Sequence, residues 1–144
     1  MPVTIKRVYD PPSPADGEHV LVDRLWPRGL AKDRAALIEW LRELSPSNEL
    51  RRWYHARPDQ WQVFRTKYLK ELAHPAAQDA LRRLYFLAHR RKRLTLLFAS
   101  KNATHNNAVV LKELLEGSRK PPTGTGPAAV RTLRRRVAAR RRQQ

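Results

Sequence analysis

The 144 residues carry 30 Lys and Arg against 13 Asp and Glu, a formal net charge of +17, and include no cysteine. This length suits one domain with an appendage, and the lack of cysteine excludes a disulfide scaffold, a thiol nucleophile and a cysteine-ligated metal. No apolar run is long enough to span a bilayer and no apolar signal core begins the chain, so we expect a basic cytoplasmic protein.

The first third of the chain predicts two strands. Alternating apolar residues over 4–9 indicate a short strand, and three prolines within 10–17 indicate a loop. The continuous apolar run Val20-Leu21-Val22 is typical of a strand buried on both faces in a parallel sheet. It ends directly in Asp23-Arg24.

The middle of the chain predicts helices. Asp33 is expected to cap the first, and Ser45-Pro46 to end it and begin the second. Pro58 and Pro75 are expected to precede a third and a fourth helix. Apolar residues at helical spacing would form the inner face of the first helix (Leu37, Trp40, Leu41, Leu44), the third (Trp61, Phe64, Tyr68, Leu72) and the fourth (Ala77, Ala80, Leu81, Leu84, Leu87, Ala88).

A further strand and helix complete the predicted domain. Residues 94–99 form a second buried-type strand, and a helix follows from about Thr104 to Glu116, with Ala108, Leu111 and Leu115 inward. The order of elements predicts an α/β fold with a small, mainly parallel sheet flanked by helices. We assign residues 1–116 to this domain.

Residues 117–144 form a separate basic segment. They contain nine basic and no acidic residues, while residues 1–116 contain 21 basic and 13 acidic, a net of +8. Residues 120–127 are rich in Pro and Gly and indicate a linker, and the rest is expected to be disordered or partly helical. The candidate nucleic-acid-binding residues of this tail are Arg131, Arg134, Arg135, Arg136, Arg140, Arg141 and Arg142. The alternatives are a merely solubilising extension and, less favoured because the segment lacks aromatics, a lipid contact.

The first candidate site segment is Asp23-Arg24-Leu25-Trp26-Pro27-Arg28-Gly29, which follows the buried strand. Ligands of open α/β sheets bind beyond the carboxyl ends of the strands. There Arg24 and Arg28 could clamp a phosphate or carboxylate, Trp26 could line the pocket, and Asp23 could act as general acid or base. The alternative is structural: Asp23 pairs with Arg24, Trp26 packs, and Arg28 is solvated.

The second candidate segment, residues 100–107, also follows a buried strand and begins a helix. Lys101 would add charge to an anion site at the helix start, Asn102 and Asn106 would orient the ligand, and His105 would be a second candidate acid or base. The alternative is that Asn102 or Thr104 caps the helix while His105 is merely exposed. No cofactor is predicted, and no metal is implied unless Asp23 and His105 converge.

Four strings resemble the DUF488 family, most closely its YeaO-like branch: KRVYDPPSPADG (6–17), VLVDRLWPRGL (20–30), WLRELSPSNELRRW (40–53) and LLFASKNATHNNAVVLKELL (96–115). The resemblance covers about residues 3–116 and implies Rossmann-like layering, but no established activity. This chain departs from the family pattern in two places. Family members commonly read Lys-Asp at Lys101-Asn102, and often His-Asp where this chain has Ala56-Arg57.

Two functions follow from these observations. One is an anion pocket for a nucleotide or sugar phosphate at the strand ends, with or without catalysis. The other is a non-catalytic, sequence-independent attachment to nucleic acid through the Arg-rich tail.

Overall fold

The computed structural model describes residues 3–90 and 93–117. Within them, four strands form one sheet in the order β1-β4-β2-β3, and all neighbouring strands are parallel. The strands are β1 (Val3–Arg7), β2 (Glu18–Leu21), β3 (Ile38–Trp40) and β4 (Leu94–Phe98). The predicted α/β class is therefore confirmed.

The helices are α1 (Lys32–Ala35), α2 (Asn48–Ala56), α3 (Trp61–Leu72), α4 (Pro75–Arg90) and α5 (Asn107–Gly117). Two short 3-10 turns, Pro14–Asp16 and Arg42–Leu44, lie between these elements. The predicted inner faces of the helices that became α3, α4 and α5 are buried apart from Trp61, which is partly buried. Their apolar spacing at three and four residues therefore did identify the core.

The side chains of the sheet alternate between two apolar clusters. Val20, Leu96 and Phe98 belong to the main core, which they share with α2 to α5. Leu21 and Leu97 point into a smaller cluster, which is completed by side chains from the segments around β3 and after β2: Trp26, Leu30, Ile38 and Trp40. The second face of the sheet is thus covered largely by a long loop instead of by helices, and that loop carries the first candidate segment.

The predicted first helix with Leu37, Trp40, Leu41 and Leu44 as one face is wrong. Residues 38–40 form β3, which pairs with His19–Leu21 at the edge of the sheet. Leu37 is 63% exposed, and α1 is a single turn in which Asp33 does not cap, because Ala31 occupies that position. Over a segment as short as 37–44, apolar residues can fit the period of a helix or that of a strand. Pairing with β2 selects the strand.

The second helix begins later than predicted. Ser47, and not Ser45, caps α2: its Oγ accepts a hydrogen bond from the Leu50 amide at 3.1 Å. Glu71 of α3 holds the same serine, accepting from its amide at 2.8 Å and its hydroxyl at 2.6 Å. Ser45 is buried, and its hydroxyl donates to the Arg42 carbonyl at 2.8 Å. The cap is therefore fixed by a contact between helices, which local sequence does not reveal.

Asp16 ties the loop between β1 and β2 at the amino edge of the sheet. Its carboxylate accepts hydrogen bonds from Lys6 Nζ at 3.0 Å, His19 Nε2 at 3.1 Å and the Ser13 amide at 2.9 Å. Burial alone would raise the pKa of this carboxyl, but the hydrogen bonds from His19, Lys6 and Ser13 outweigh burial and lower the pKa to about 2.

The predicted linker and tail from residue 118 onward lie outside the described residues. Within the described ranges, no helix has the length and apolar character needed to cross a membrane.

Candidate functional site

Asp23 joins the two candidate segments at the carboxyl end of the sheet. One carboxylate oxygen, Oδ2, accepts a hydrogen bond from the Ala99 amide just beyond β4, at 2.8 Å. The other, Oδ1, accepts from Asn107 Nδ2 at 3.3 Å, and the same nitrogen donates to the Val22 carbonyl at 2.9 Å. We call this arrangement the Asp23–Asn107 joint. It links the ends of β2 and β4 to the start of α5.

The joint is partly buried, and burial is the largest influence on the pKa of its carboxyl group. Burial raises the pKa of Asp23, although the hydrogen bonds from Ala99 and Asn107 counteract part of that increase. Tyr68 of α3 is fully buried, and its hydroxyl donates to the Leu44 carbonyl. Burial, with the charges of Asp23 and Glu71, raises the pKa of Tyr68 well above its usual value.

A second set of contacts brings the end of β1 to the same place. Arg7, the last residue of β1, donates through Nη2 to the Ala99 carbonyl and through Nε to the Ser100 carbonyl, each at 3.1 Å. Its guanidinium lies 5.2 Å from the ring centre of Tyr9. The Tyr9 hydroxyl in turn donates to the Arg28 carbonyl at 3.0 Å. The loops that follow β1, β2 and β4 are therefore bound to one another.

The side chains of Arg24, Arg28 and Lys101 extend from these loops and are exposed. Within residues 3–90 and 93–117, none of the three forms an ion pair, and Arg24 does not pair with Asp23. Ion pairs of the described residues lie elsewhere: Lys6–Asp16, His19–Asp16, Arg65–Glu113, Arg82–Asp79, Arg83–Glu39 and Lys112–Glu116.

Asn102 and Asn106 organise the second segment locally. Asn102 Oδ1 accepts hydrogen bonds from the amides of Thr104 at 3.1 Å and His105 at 3.0 Å. Asn106 caps α5, because its Oδ1 accepts from the Val109 amide at 3.1 Å, and its Nδ2 donates to the Asn102 carbonyl at 2.8 Å. Both amides thus form the turn that precedes α5.

Trp26 packs within the smaller cluster. Its ring meets Trp40 edge to face, with 5.6 Å between ring centres. Trp40 Nε1 donates to the Asp23 carbonyl at 2.7 Å, and the Arg42 guanidinium covers the same ring at 4.5 Å. The tryptophan contact therefore fixes the position of the loop after β2.

His105 lies against α3. Its ring stacks on Trp61 with 4.7 Å between ring centres and 21° between planes. Trp61 also contacts Tyr54 at 6.0 Å, near the end of α2. Over residues 3–90 and 93–117, the side chains of His105 and Asp23 do not share a hydrogen bond. The same residues contain no cluster of three or more His, Asp or Glu side chains able to hold a metal.

Comparison with known proteins agrees with the strings quoted above. The family model of the inactive DUF488-N3 subclade matches residues 2–128. The chain belongs to this DUF488 subclade. The uncharacterised protein YeaO of Escherichia coli strain K12 is 45% identical over 115 residues, which are 80% of this chain and 97% of that relative. The uncharacterised proteins Mb3100c of Mycobacterium bovis and Rv3073c of Mycobacterium tuberculosis strain H37Rv are each 39% identical, over 80% of this chain and 94% of their own. No solved structure matches.

Sequence reasoning found the two DUF488 segments but missed three residues that hold them together. Arg7 and Tyr9 lie in the string KRVYD, and Asn107 lies at the end of the second segment. All three residues lie in the strings shared with the family, and this was the one sign in the sequence that they matter. Nothing in the chain order indicated that the β1 loop would meet the β2 and β4 loops.

Proposed function

We propose that this DUF488 domain is a non-catalytic binding module for a small phosphate-bearing molecule, of the nucleotide or sugar-phosphate class. Arg24, Arg28 and Lys101 are the proposed ligand-binding residues. The observation that carries the proposal is that three exposed cations, which form no ion pair with any described residue, extend from loops which the Asp23–Asn107 joint and Arg7 tie together. Such loops, at the carboxyl ends of parallel strands, are where α/β folds bind ligands.

Binding is favoured over catalysis because both candidate acid–base residues already have structural contacts. Asp23 accepts hydrogen bonds on both oxygens, and His105 stacks on Trp61. The subclade is itself described as inactive. The departures at Asn102 and Arg57, where the family pattern has Asp, point the same way.

Three of the candidate ligand contacts take a supporting role in this proposal. Trp26 orients the loop that carries Arg24 and Arg28, while Asn102 and Asn106 shape the turn that presents Lys101. Arg24, Arg28 and Lys101 then make the direct contacts with the ligand.

The proposal is tested by titrating inorganic phosphate, ribose 5-phosphate and adenosine monophosphate into the full chain in a calorimeter. Arg24→Gln, Arg28→Gln and Lys101→Gln should each weaken binding roughly 10- to 150-fold, because a charged hydrogen bond contributes about 1.5–3 kcal/mol. Arg82→Gln is the matched control, since Arg82 is exposed on α4 and pairs with Asp79.

The outcomes separate binding from catalysis. Equal losses from Arg82→Gln and from the three loop variants would indicate general attraction to a basic protein, against the proposed site. Release of inorganic phosphate from ribose 5-phosphate, abolished by His105→Gln, would refute the non-catalytic assignment.

A second function, attachment to nucleic acid through the tail, is favoured by one comparison. The alignments cover 94–97% of the relatives but 80% of this chain. The alignments thus leave 29 residues of this chain uncovered, and residues 117–144 carry nine cations and no acidic residue. Neutralising phosphates with such cations releases counterions and binds nucleic acid with little sequence preference.

The tail is tested by fluorescence anisotropy with labelled DNA and RNA over a range of salt concentrations. Deleting residues 118–144 should weaken binding and reduce the slope of log affinity against log salt, by about 0.9 for each phosphate of duplex DNA that the tail neutralises. A variant with the seven arginines of 131–142 changed to Gln keeps the length as a control. An unchanged slope in both would refute tail-driven binding.

A further inference from the structure

Arg34 of α1 has two donors without acceptors. Its Nη1 donates to the Asp10 carbonyl at 3.3 Å. Its Nε and Nη2 are buried from solvent, and neither has a hydrogen-bond partner in the part of the chain that the structure describes. Within the described ranges, Arg34 is also in no ion pair, so a charged group lies partly withdrawn from water while two of its three guanidinium nitrogens lack an acceptor.

The two unused donors belong to the same edge of the guanidinium. Nε–H and the adjacent Nη2–H run parallel in the plane of the group, and their spacing matches two oxygens of one phosphate or carboxylate. Arginine stays charged at any ordinary pH, so the protein cannot remove this buried charge by deprotonating the side chain. An unpaired, desolvated charge is unfavourable, and a bound oxyanion would supply both acceptors at once.

Arg34 is connected to the loops of the proposed anion site. Its partner Asp10 belongs to the loop after β1, where the Asp10 amide donates to the Arg7 carbonyl at 3.0 Å. In the same loop, Tyr9 donates to the Arg28 carbonyl. Arg34 is thus bonded to the same cluster of loops that carries the exposed cations.

We propose that Arg34 is the inner contact of this site and binds the phosphate of a phosphate monoester side-on, through Nε and Nη2. This inference rests on the proposed function and names its ligand class. A monoester is favoured over a carboxylate, because its second negative charge suits the exposed cations of the connected loops, Arg24, Arg28 and Lys101. Both donors are buried, so the ligand enters with a local movement of the residues that cover them.

The test uses the full chain with ribose 5-phosphate and inorganic phosphate as probes. Arg34→Lys keeps the charge but removes the parallel pair of donors, and should weaken binding of ribose 5-phosphate at least tenfold. Arg34→Met removes the charge and keeps an unbranched side chain. Without phosphate it should melt at or above the temperature of the parent protein. Added ribose 5-phosphate should raise the melting temperature of the parent but not that of Arg34→Met.

The outcomes distinguish this inference from the proposed function. If ribose 5-phosphate binding depends on Arg24, Arg28 and Lys101 but is as tight in Arg34→Lys, the Arg34 contact is refuted and the proposed function stands. If the parent protein binds neither probe, the proposed function fails, and this inference with it.

Melting of Arg34→Met well below the parent without phosphate would also overturn the inference, since the guanidinium would then have a partner within the chain. Asp10→Asn identifies that partner: it lowers the melting temperature by the same amount if the Asp10 carboxylate occupies the edge. Arg82→Met on α4 controls for the loss of an exposed arginine.

Discussion

The Asp23–Asn107 joint makes a sharp prediction about Asn107. Asn107→Leu keeps a side chain of similar length but removes both hydrogen bonds of Nδ2, to the Val22 carbonyl at 2.9 Å and to Asp23 at 3.3 Å. A buried acceptor left without a partner costs about 1–3 kcal/mol. The longer bond is weaker and Asp23 keeps its bond from Ala99, so we expect a total loss of about 2–4 kcal/mol. For a domain of this size, that lowers the melting temperature by roughly 8–16 °C.

Asn107→Asp adds a dependence on pH. It brings a second carboxyl group against Asp23 and the Val22 carbonyl, and two carboxylates that share a site raise the pKa of one of them. A carboxyl whose pKa is raised in the folded state stabilises the fold at low pH and loses that contribution as pH rises through the raised pKa. The loss relative to the parent protein should therefore be larger at pH 7 than at pH 5.

The assay is thermal and urea unfolding of the parent and both variants, followed by circular dichroism at the two pH values. Asn48→Leu is the control: Asn48 is the exposed first residue of α2, and its replacement should change stability by no more than about 0.5 kcal/mol. Asn107→Leu with the stability of the parent, or Asn107→Asp with the same loss at both pH values, would refute the structural role of the joint.

Three further predictions concern other parts of the fold. Gly17→Ala should lower the free energy of unfolding by about 3 kcal/mol or more, because φ is +70° and an added Cβ would lie 2.4 Å from the Arg93 carbonyl oxygen. Gly29→Ala, at φ +78° with open space around it, should lower it by only about 1–2 kcal/mol. Equal losses of the two variants in urea unfolding would refute the steric argument. Ser47→Ala should cost about 2 kcal/mol by removing the cap of α2 and a bond to a carboxylate, with loss of helical circular dichroism as the check. Because the pKa of Asp16 falls from 3.8 to about 2 on folding, its stabilising contribution is present above pH 3.8 and lost toward pH 2. Asp16→Asn should therefore lose less stability than the parent protein between those pH values. An equal loss in the two proteins would contradict the assignment.

The sequence predicted those elements whose apolar pattern is long or continuous. The helix stripes around Tyr68 and Leu84 and the buried run over 94–99 were interpreted correctly, because burial of one helix face leaves a periodic apolar pattern and burial of a whole strand leaves a continuous one. The segment 37–44 was misinterpreted. Its strand has three residues and lies at the sheet edge, and its conformation is decided by pairing with β2, a contact distant in sequence.

The candidate site shows the same limit. Rules for α/β folds located the two loops, since polar residues after buried strands are visible in the chain. They did not reveal which polar side chains are hydrogen-bonded within the fold and which are exposed. Asp23 was a leading catalytic candidate, yet its oxygens accept from Ala99 and Asn107, and those partners lie 76 and 84 positions further along the chain.

Burial and bonding separate the polar residues at the carboxyl edge into two groups with different expected sensitivities. The partly or fully buried members, Asp23, Asn106 and Asn107, are bonded within the fold, so their loss should first be seen as lost stability. The exposed cations Arg24 and Lys101 have no ion pairs among the described residues, and their loss should change ligand affinity with little effect on stability. Removing the buried members would therefore loosen the loops that carry the exposed cations, so loss of stability and loss of affinity can be measured separately.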